Sequence, residues 1–550
     1  MKRLFCLTAV AVAIVAGMTA AADWPQWRGP SRDGVAATSP ALVDVLNKDT
    51  PKTAWVSEAI LGGDIGGYAQ PAVAGDRVYV LENRRHLALE TLLTDLGWAP
   101  GMPEGLVKSV ESARNSQDRA KLTNTDKEIV PWADEWLKAN LPKDQQKLAP
   151  AVKARLVAGA AAVPLDDLAK LDPIPDKELV TAADFADWLK KRDVTPEALE
   201  EIMGHLGEAK RVKTGWLWQR VGTRRLGADD VLWALDRATG KTVYRVEFPG
   251  QWLSYAASSA PCVADGRVYF LSSAAVAYCL DAATGKKLWE ASLLKKDAKA
   301  FEHSRASSVL WLDGKVIVGS EKEVCGLDAK TGEKLWSNTS VFGEEASGVI
   351  CRLGGQTAVL YASAPYWSSV KKMSCLDLQT GKELWSVPTG WSASTPVAAG
   401  DVCVFAGGLE SAGPVALRMT TTGATTQWSV PFKNDKTCTA YDNYPSPIVD
   451  KGFVYIAGRG KAFCVELATG TVQWAHDVAG ASLSSGILAD GKVLMPAPPD
   501  LVIFRATHDQ FELLGRARIG IVGYSTPAFA DGFLFVRTGK NVACYDLRRP

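Results

Sequence analysis

The sequence has 550 residues, 47% of them hydrophobic and 22% charged, with 62 Lys and Arg set against 61 Asp and Glu and five His. That near-neutral balance excludes an electrostatic case for nucleic-acid binding or for strong adsorption to anionic membranes. Length does not fix a domain count, because a closed repeat array absorbs several hundred residues as one unit.

In chain order, the first feature is Met1-Lys2-Arg3, an apolar run from Leu4 to about Ala16, and small residues ending Ala20-Ala21-Ala22 before Asp23. A basic start, a short apolar core and an Ala-x-Ala end make a secretory signal peptide, so residues 1–22 are expected to be removed and the rest exported, soluble, to periplasm or exterior. Neither this run nor any later one reaches the roughly 20 apolar residues of a membrane span. Cys6 comes too early, after the wrong residues, for a lipidated signal. Further on, Lys52-Thr-Ala-Trp55-Val-Ser57 reads as an isolated strand, and Pro71–Val80 as a β-hairpin.

Over 87–225 the β-period disappears. Apolar residues recur at spacings of three and four in Leu87–Leu96, Val130–Leu141 and Phe185–Leu189, which predicts amphipathic helices. Thr195-Pro196-Glu197 is a helix start, with Thr as cap and Pro in the first turn. Near Gly215-Trp-Leu-Trp218 a strand returns. This segment is expected to be an α-helical insertion hung from a loop of the first blade, acting as a lid, a partner platform or a passive elaboration.

The rest is repetitive. One phrase recurs as Ala234-Leu-Asp236-Arg-Ala-Thr-Gly240, Cys279-Leu-Asp281-Ala-Ala-Thr-Gly285, Gly326-Leu-Asp328-Ala-Lys-Thr-Gly332, Cys375-Leu-Asp377-Leu-Gln-Thr-Gly381 and Cys464-Val-Glu466-Leu-Ala-Thr-Gly470. Four residues past each glycine stands Tyr244, Trp289, Trp336, Trp385 or Trp474, and degenerate copies lie at Ala416–Trp428, Phe504–Leu513 and Cys544–Leu547. Each copy follows an apolar stretch broken by a tight turn, as in Pro261–Phe270, Val309–Val318, Val349–Leu360, Pro396–Phe405, Pro447–Ile456, Gly486–Leu494 and Pro527–Val536. With Pro71–Val80 these make eight units of four strands, so the fold is expected to be all-β, an eight-bladed propeller over 23–86 and 226–550. The last phrase lacks its Trp strand, and Lys52–Ser57 is the strand to complete that blade and remove an open edge.

Within the phrase, Asp and Thr are placed to hydrogen-bond turn amides while Gly accepts positive φ. The acid is thereby a turn residue, and the Trp is expected to bury its surface between blades. Cysteines in the strand pattern, such as Cys279, Cys375, Cys464 and Cys544, read as small buried hydrophobes, none with metal-ligand spacing. The histidines His86, His205, His476 and His508 are scattered and make no zinc pattern.

Propeller ligands sit where innermost strands begin, around the axis of one face. Repeat alignment puts Tyr68, Gln70, Tyr255, Ser258, His303, Arg305, Trp391, Ser394, Asp442, Asn443, Tyr444, Tyr524 and Ser525 there. This ring of aromatics and hydrogen-bonding groups suits a small planar or sugar-like ligand, or else covers and solvates the blade ends. Neither His303 with Arg305 nor Asp442 with Asn443 has a third member for nucleophilic or metal chemistry.

The repeats resemble those of the pyrroloquinoline-quinone-like eight-bladed propellers, which include quinoprotein alcohol dehydrogenases and the outer-membrane β-barrel assembly lipoprotein. The opening Asp23-Trp-Pro-Gln-Trp-Arg-Gly-Pro30, with Arg32-Asp-Gly34, also looks like the start of many exported bacterial proteins of that kind. In the dehydrogenases the resemblance implies a quinone stacked in the axial funnel, usually over a disulfide of adjacent cysteines, beside a calcium or lanthanide ion and an aspartate base. No two cysteines are adjacent here, and no Asp, Glu and Asn cluster has calcium-ligand spacing. The leading expectation is a non-catalytic exported scaffold that binds a protein or cell-envelope component, with no catalytic or metal residue assigned. A quinoprotein oxidoreductase using pyrroloquinoline quinone and calcium, and a carbohydrate-binding propeller stacking sugars on Trp391, Tyr255 and Tyr524, are the alternatives.

Overall fold

The computed structural model describes residues 23–46, 51–63, 66–87, 103–114, 116–122, 126–157, 226–251, 258–293, 307–343, 346–363, 371–408, 413–432, 443–458, 460–481 and 483–550. The expected signal peptide over 1–22, the expected helix start at Thr195, the Phe185–Leu189 stretch and the expected strand near Gly215–Trp218 lie outside these residues.

Eight four-stranded antiparallel sheets form the blades of a propeller. Blade 1 contains β2 (Ala72–Ala74), β3 (Arg77–Leu87), β4 (Leu226–Asp236) and β5 (Thr242–Gly250). Blades 2 to 7 follow at 262–292, 310–338, 349–388, 397–429, 448–477 and 487–518. The short first strands of neighbouring blades approach one another around the axis. Middle strands are almost wholly buried, as in Arg267–Leu271 and Val276–Asp281, because both their faces meet adjacent blades. Outer strands turn one face to water, so Lys287–Ser292 buries Trp289 and exposes its flanking Leu288 and Glu290.

Closure follows the expected route. β1 (Lys52–Val56) pairs antiparallel with Val542–Asp546, from Lys52 against Asp546 to Val56 against Ala543. It becomes the outer strand of blade 8, whose other strands are Ala528–Ala530, Phe533–Arg537 and Val542–Asp546.

The seams carry the core. One cluster joins Tyr79, Leu81 and Leu232 of blade 1 to Val268, Phe270 and Leu280 of blade 2, and others straddle later seams in the same way. In blades 2 to 6 the outer-strand indole N–H crosses a seam to a backbone carbonyl of the next blade, as from Trp289 to Ala329 at 3.1 Å, Trp336 to Leu378 at 3.0 Å and Trp428 to Leu467 at 2.8 Å. Trp55 does the same for the ring closure, reaching Arg237 at 2.9 Å, and Tyr244 reaches Ala282 at 2.9 Å. The ring of Trp336 lies over Gly381, where a Cβ would come within 2.2 Å of it, so the turn glycine is required by the neighbour's packing as well as by its φ of +67°. The turn acid behaves as expected: Asp281 Oδ1 accepts from the Thr284 amide at 2.9 Å and hydroxyl at 2.7 Å.

β3 and β4 stay paired from Arg77 against Asp236 out to Leu87 against Leu226. The apolar spacing that predicts a helix from Leu87 is therefore overridden at that residue by the β-ladder, which continues to the hairpin tip. Beyond it come α1 (Glu104–Arg114), α2 (Gln117–Ala120), α3 (Asp126–Asn140), a 3-10 turn at Lys143–Leu148 and α4 (Ala149–Val157). Leu106, Val110, Ala133, Leu141, Val152 and Leu156 give these helices a core of their own. Among the described residues no helix is long and apolar enough to cross a membrane.

Candidate functional site

Residues immediately before the innermost strands form a belt around the axis. In blades 2 to 7 the amide at this position donates to the hydroxyl of the next blade: Ala260 to Ser308 at 3.1 Å, Ser308 to Ser347 at 2.9 Å, and Ser347 to Thr395 at 3.3 Å. The chain continues from Thr395 to Ser446 at 3.0 Å, Ser446 to Ser485 at 3.0 Å and Ser485 to Thr526 at 3.1 Å. Gln70 joins it in blade 1, its Nε2 donating to the Pro527 carbonyl at 2.5 Å. Innermost strands have no sheet partner on their axial side, and these short hydroxyls satisfy amides that would otherwise be buried unpaired. Gln70 is 0% exposed and belongs to this belt, as do the buried hydroxyls beside Ser394 and Ser525.

Above the belt the sequence candidates separate into two groups. Tyr68, Tyr524, Tyr444 and Trp391 form a continuous aromatic arc, with ring centroids 5.6 Å, 5.0 Å and 5.3 Å apart in that order and edge-to-face packing throughout. Tyr444 belongs to the blade 6 loop and Tyr524 to blade 8; their rings meet across blade 7, so both lean toward the axis. Trp391, Tyr444 and Tyr524 remain partly exposed, and Tyr524 holds a φ of +63°, a costly conformation for an aromatic residue. Asn443 is buried beneath the arc and clamps it: its Nδ2 donates to the Trp391 carbonyl at 2.8 Å and its Oδ1 accepts from the Gly413 amide at 3.1 Å. Ser258 is half-buried at its loop end. Tyr255, His303, Arg305 and Asp442 lie outside the described residues.

The axis itself is filled from the other side by residues 24–36, whose place in the fold the repeat does not encode. Trp24 exchanges two backbone hydrogen bonds with Val73, Pro25 accepts from the Val263 amide at 2.8 Å, and Leu488 is bonded by Gly34 and Ala36. Trp27 Nε1 donates to Thr395 Oγ1 at 2.9 Å, and the Arg28 amide donates to Gln70 Oε1 at 2.7 Å. Arg28 Nη2 reaches the Pro447 carbonyl at 2.5 Å, while Arg32 Nη1 and Nη2 reach Val309 and Ser308 carbonyls at 2.8 Å and 3.2 Å. This one segment thus ties together blades 1, 2, 3, 5, 6 and 7. Two guanidiniums in a stretch dense in Trp, Gly and Pro, outside the repeat, were the signal available in the sequence.

A second buried polar cluster sits on the blade 1–2 seam. Asp230 accepts from Asn83 Nδ2 at 2.9 Å and from the Ser273 amide and hydroxyl at 2.7 Å each. Burial pushes its carboxyl up to about 6 despite those bonds. Eight cysteines among the described residues are free and buried, with burial pushing the Cys544 thiol up to about 12. His476 and His508 stack on Phe511 and Phe453 at 4.1 Å and 4.2 Å, and no group of three His, Cys, Asp or Glu residues suited to a metal ion occurs among the described residues.

Among the described residues the arc offers no gap in which a quinone could stack. Inserting a planar ring between two others needs about 7 Å between their faces, whereas the arc is packed edge to face and the space below it is taken by residues 24–36. No disulfide is present among the described cysteines to form a platform.

The family described as "Outer membrane protein assembly factor BamB" matches residues 221–359 and 345–549. Similar solved structures include BamB from Moraxella catarrhalis, at 14% identity over 58% of this chain and 93% of that one, with a TM-score of 0.43. A europium-containing methanol dehydrogenase is similar at 11% identity over 57% and 81%, with a TM-score of 0.41. Quinohemoprotein alcohol dehydrogenase ADHIIG from Pseudomonas putida HK5 follows at 14% over 58% and 72%, with a TM-score of 0.38. No curated protein matches the sequence.

Proposed function

The chain belongs to the family described as outer membrane protein assembly factor BamB, and on that premise we propose that it is an exported, non-catalytic propeller that binds a protein or cell-envelope component through its loops, with the helical insertion as the contact platform. The observation that carries this reading is the filled axis. A propeller whose centre is occupied by its own residues 24–36, under a packed aromatic arc, keeps its loop surfaces for recognition. The insertion supports it further, since a helical unit with its own core on a hairpin tip offers a surface the ring does not need for stability.

A titration of the purified mature protein with pyrroloquinoline quinone and calcium, followed by absorbance and melting temperature, should give no saturable change. Binding at micromolar or tighter affinity, or turnover of alcohols or aldoses with an artificial electron acceptor, would sink the scaffold reading in favour of a quinoprotein oxidoreductase. Photo-crosslinking from exposed Lys138 on α3 in envelope fractions is expected to give one discrete adduct that Lys330, on a blade turn, does not give.

Carbohydrate binding is the second reading, favoured by the partly exposed rings of Trp391, Tyr444 and Tyr524 at one mouth of the axis. A glycan array that binds wild-type protein and not Trp391→Ala would promote it.

A further inference from the structure

Residues 24–34 carry an imbalance that packing alone does not explain. Arg28 and Arg32 are 0% and 1% exposed, and both hold positive φ, +60° and +59°. Positive φ costs a non-glycine residue about 1 kcal/mol or more, so the backbone is strained at the two positions that place cations in the axis. Their hydrogen-bond partners are the carbonyls of Asp33, Pro447, Val309 and Ser308 and the side-chain amide of Gln26, all uncharged.

Among the described residues neither guanidinium makes an ion pair. Half-buried Asp33 lies near enough to Arg28 to oppose its loss of charge, yet that carboxylate is turned to the Val35 amide at 2.9 Å. Arg32 lies close to Arg28 and disfavours its charge further, while desolvation lowers Arg28 to about 9 and Arg32 to about 10. The third buried arginine of the ring differs, because Arg537, bonded to the carbonyls of Leu81, Leu61 and Gly66, has the buried carboxylate of Glu82 beside it.

The unpartnered buried atoms of the segment are all donors: Arg28 Nε and Nη1, Arg32 Nε and Trp24 Nε1. Buried charge calls for an opposite charge, and orphaned donors call for an acceptor. A water accepts a hydrogen bond and leaves the charge uncompensated.

We propose that the axial segment holds a small inorganic anion, of the size and charge of chloride, against the Arg28 and Arg32 guanidiniums, as a structural ligand that completes the closure of the ring.

The test uses the full mature protein. Melting temperature is measured in sodium chloride and in sodium gluconate at matched ionic strength, so that screening is equal in both. A saturable rise of a few degrees in chloride, at about a hundred-fold excess over the dissociation constant, is the expected result. Arg32→Gln keeps a donor for the Val309 carbonyl and removes the charge, so it should abolish the chloride-specific rise. Crystals grown in bromide give a readout independent of any variant: an anomalous peak within hydrogen-bonding distance of both guanidiniums supports the site. Equal melting temperatures in the two salts overturn the proposal, as does a chloride effect without an axial bromide peak. If Arg32→Gln does not fold, the salt comparison and the bromide peak on the wild-type chain still decide it.

Discussion

At Gly381 one residue meets two demands, a left-handed turn and a flat surface for the indole of Trp336. Gly381→Ala would push a methyl to within 2.2 Å of that ring while keeping a positive φ, and is expected to cost more than about 2 kcal/mol. Trp336→Phe keeps most of the buried ring and strands the Leu378 carbonyl, for a smaller cost of about 1 to 2 kcal/mol. Urea unfolding midpoints of the two variants check the order. Asp230 makes a pH prediction. Its folded pKa of about 6 lies above its ordinary 3.8, so the folded state holds the proton more tightly. The associated stability is fully present below about pH 4 and is lost as pH rises through about 6, by at most a few kcal/mol. Unfolding free energies from pH 4 to 7 should show this fall, and Asp230→Asn should flatten it. Both the turn glycine and its acid were legible in the sequence, because their chemistry is local and repeated. The Asp230 network was not, since Asn83 lies 147 residues away across the insertion.

Among the elements, the β3–β4 hairpin is the one that carries foreign cargo. Its ladder is complete from Arg77–Asp236 to Leu87–Leu226, and the helices beyond pack on each other. Replacing residues 88–225 by a short Asn-Gly turn should therefore leave the ring folded, with a melting temperature within a few degrees of the parent. Thermal unfolding followed by circular dichroism checks it, and a collapse of the β signal would mean that the insertion props up blade 1. The hairpins were readable because each is an apolar stretch broken by a tight turn. The true extent of β3 was not, because at Leu87 helical spacing and strand pairing compete and only the partner strand decides between them.

For the whole molecule, closure rests on the residues before the first blade. They fill the axis and then supply the outer strand of blade 8. At the blade 7–8 seam, where Gly515 stands in the place of a Trp, the same stretch bridges the blades: Leu46 donates to the Leu514 carbonyl at 3.0 Å and Val43 to the Leu547 carbonyl at 2.8 Å. A chain beginning at Ser57 would leave the edge of Val542–Asp546 open and the axial carbonyls unpaired, so cooperative unfolding should be lost and sedimentation should show self-association. Retention of a sharp monomeric transition would show that the blades close without their clasp.

The sequence by itself determined the blade count, the closing strand and the turn chemistry, because these repeat and act within one blade or between neighbours. Repeat alignment also marked Tyr68, Trp391, Tyr444 and Tyr524 as equivalent loop positions ahead of the innermost strands. Only the tertiary structure decided that those four rings touch, that the polar residues behind them are a hydrogen-bonded belt, and that residues 24–36 fill the centre. The physical reason is distance along the chain: Arg32 finds the Val309 carbonyl 277 residues away and Arg28 the Pro447 carbonyl 419 away. Carbonyl acceptors carry no side-chain signature, so contacts to them exist for a reader only once the ring is closed.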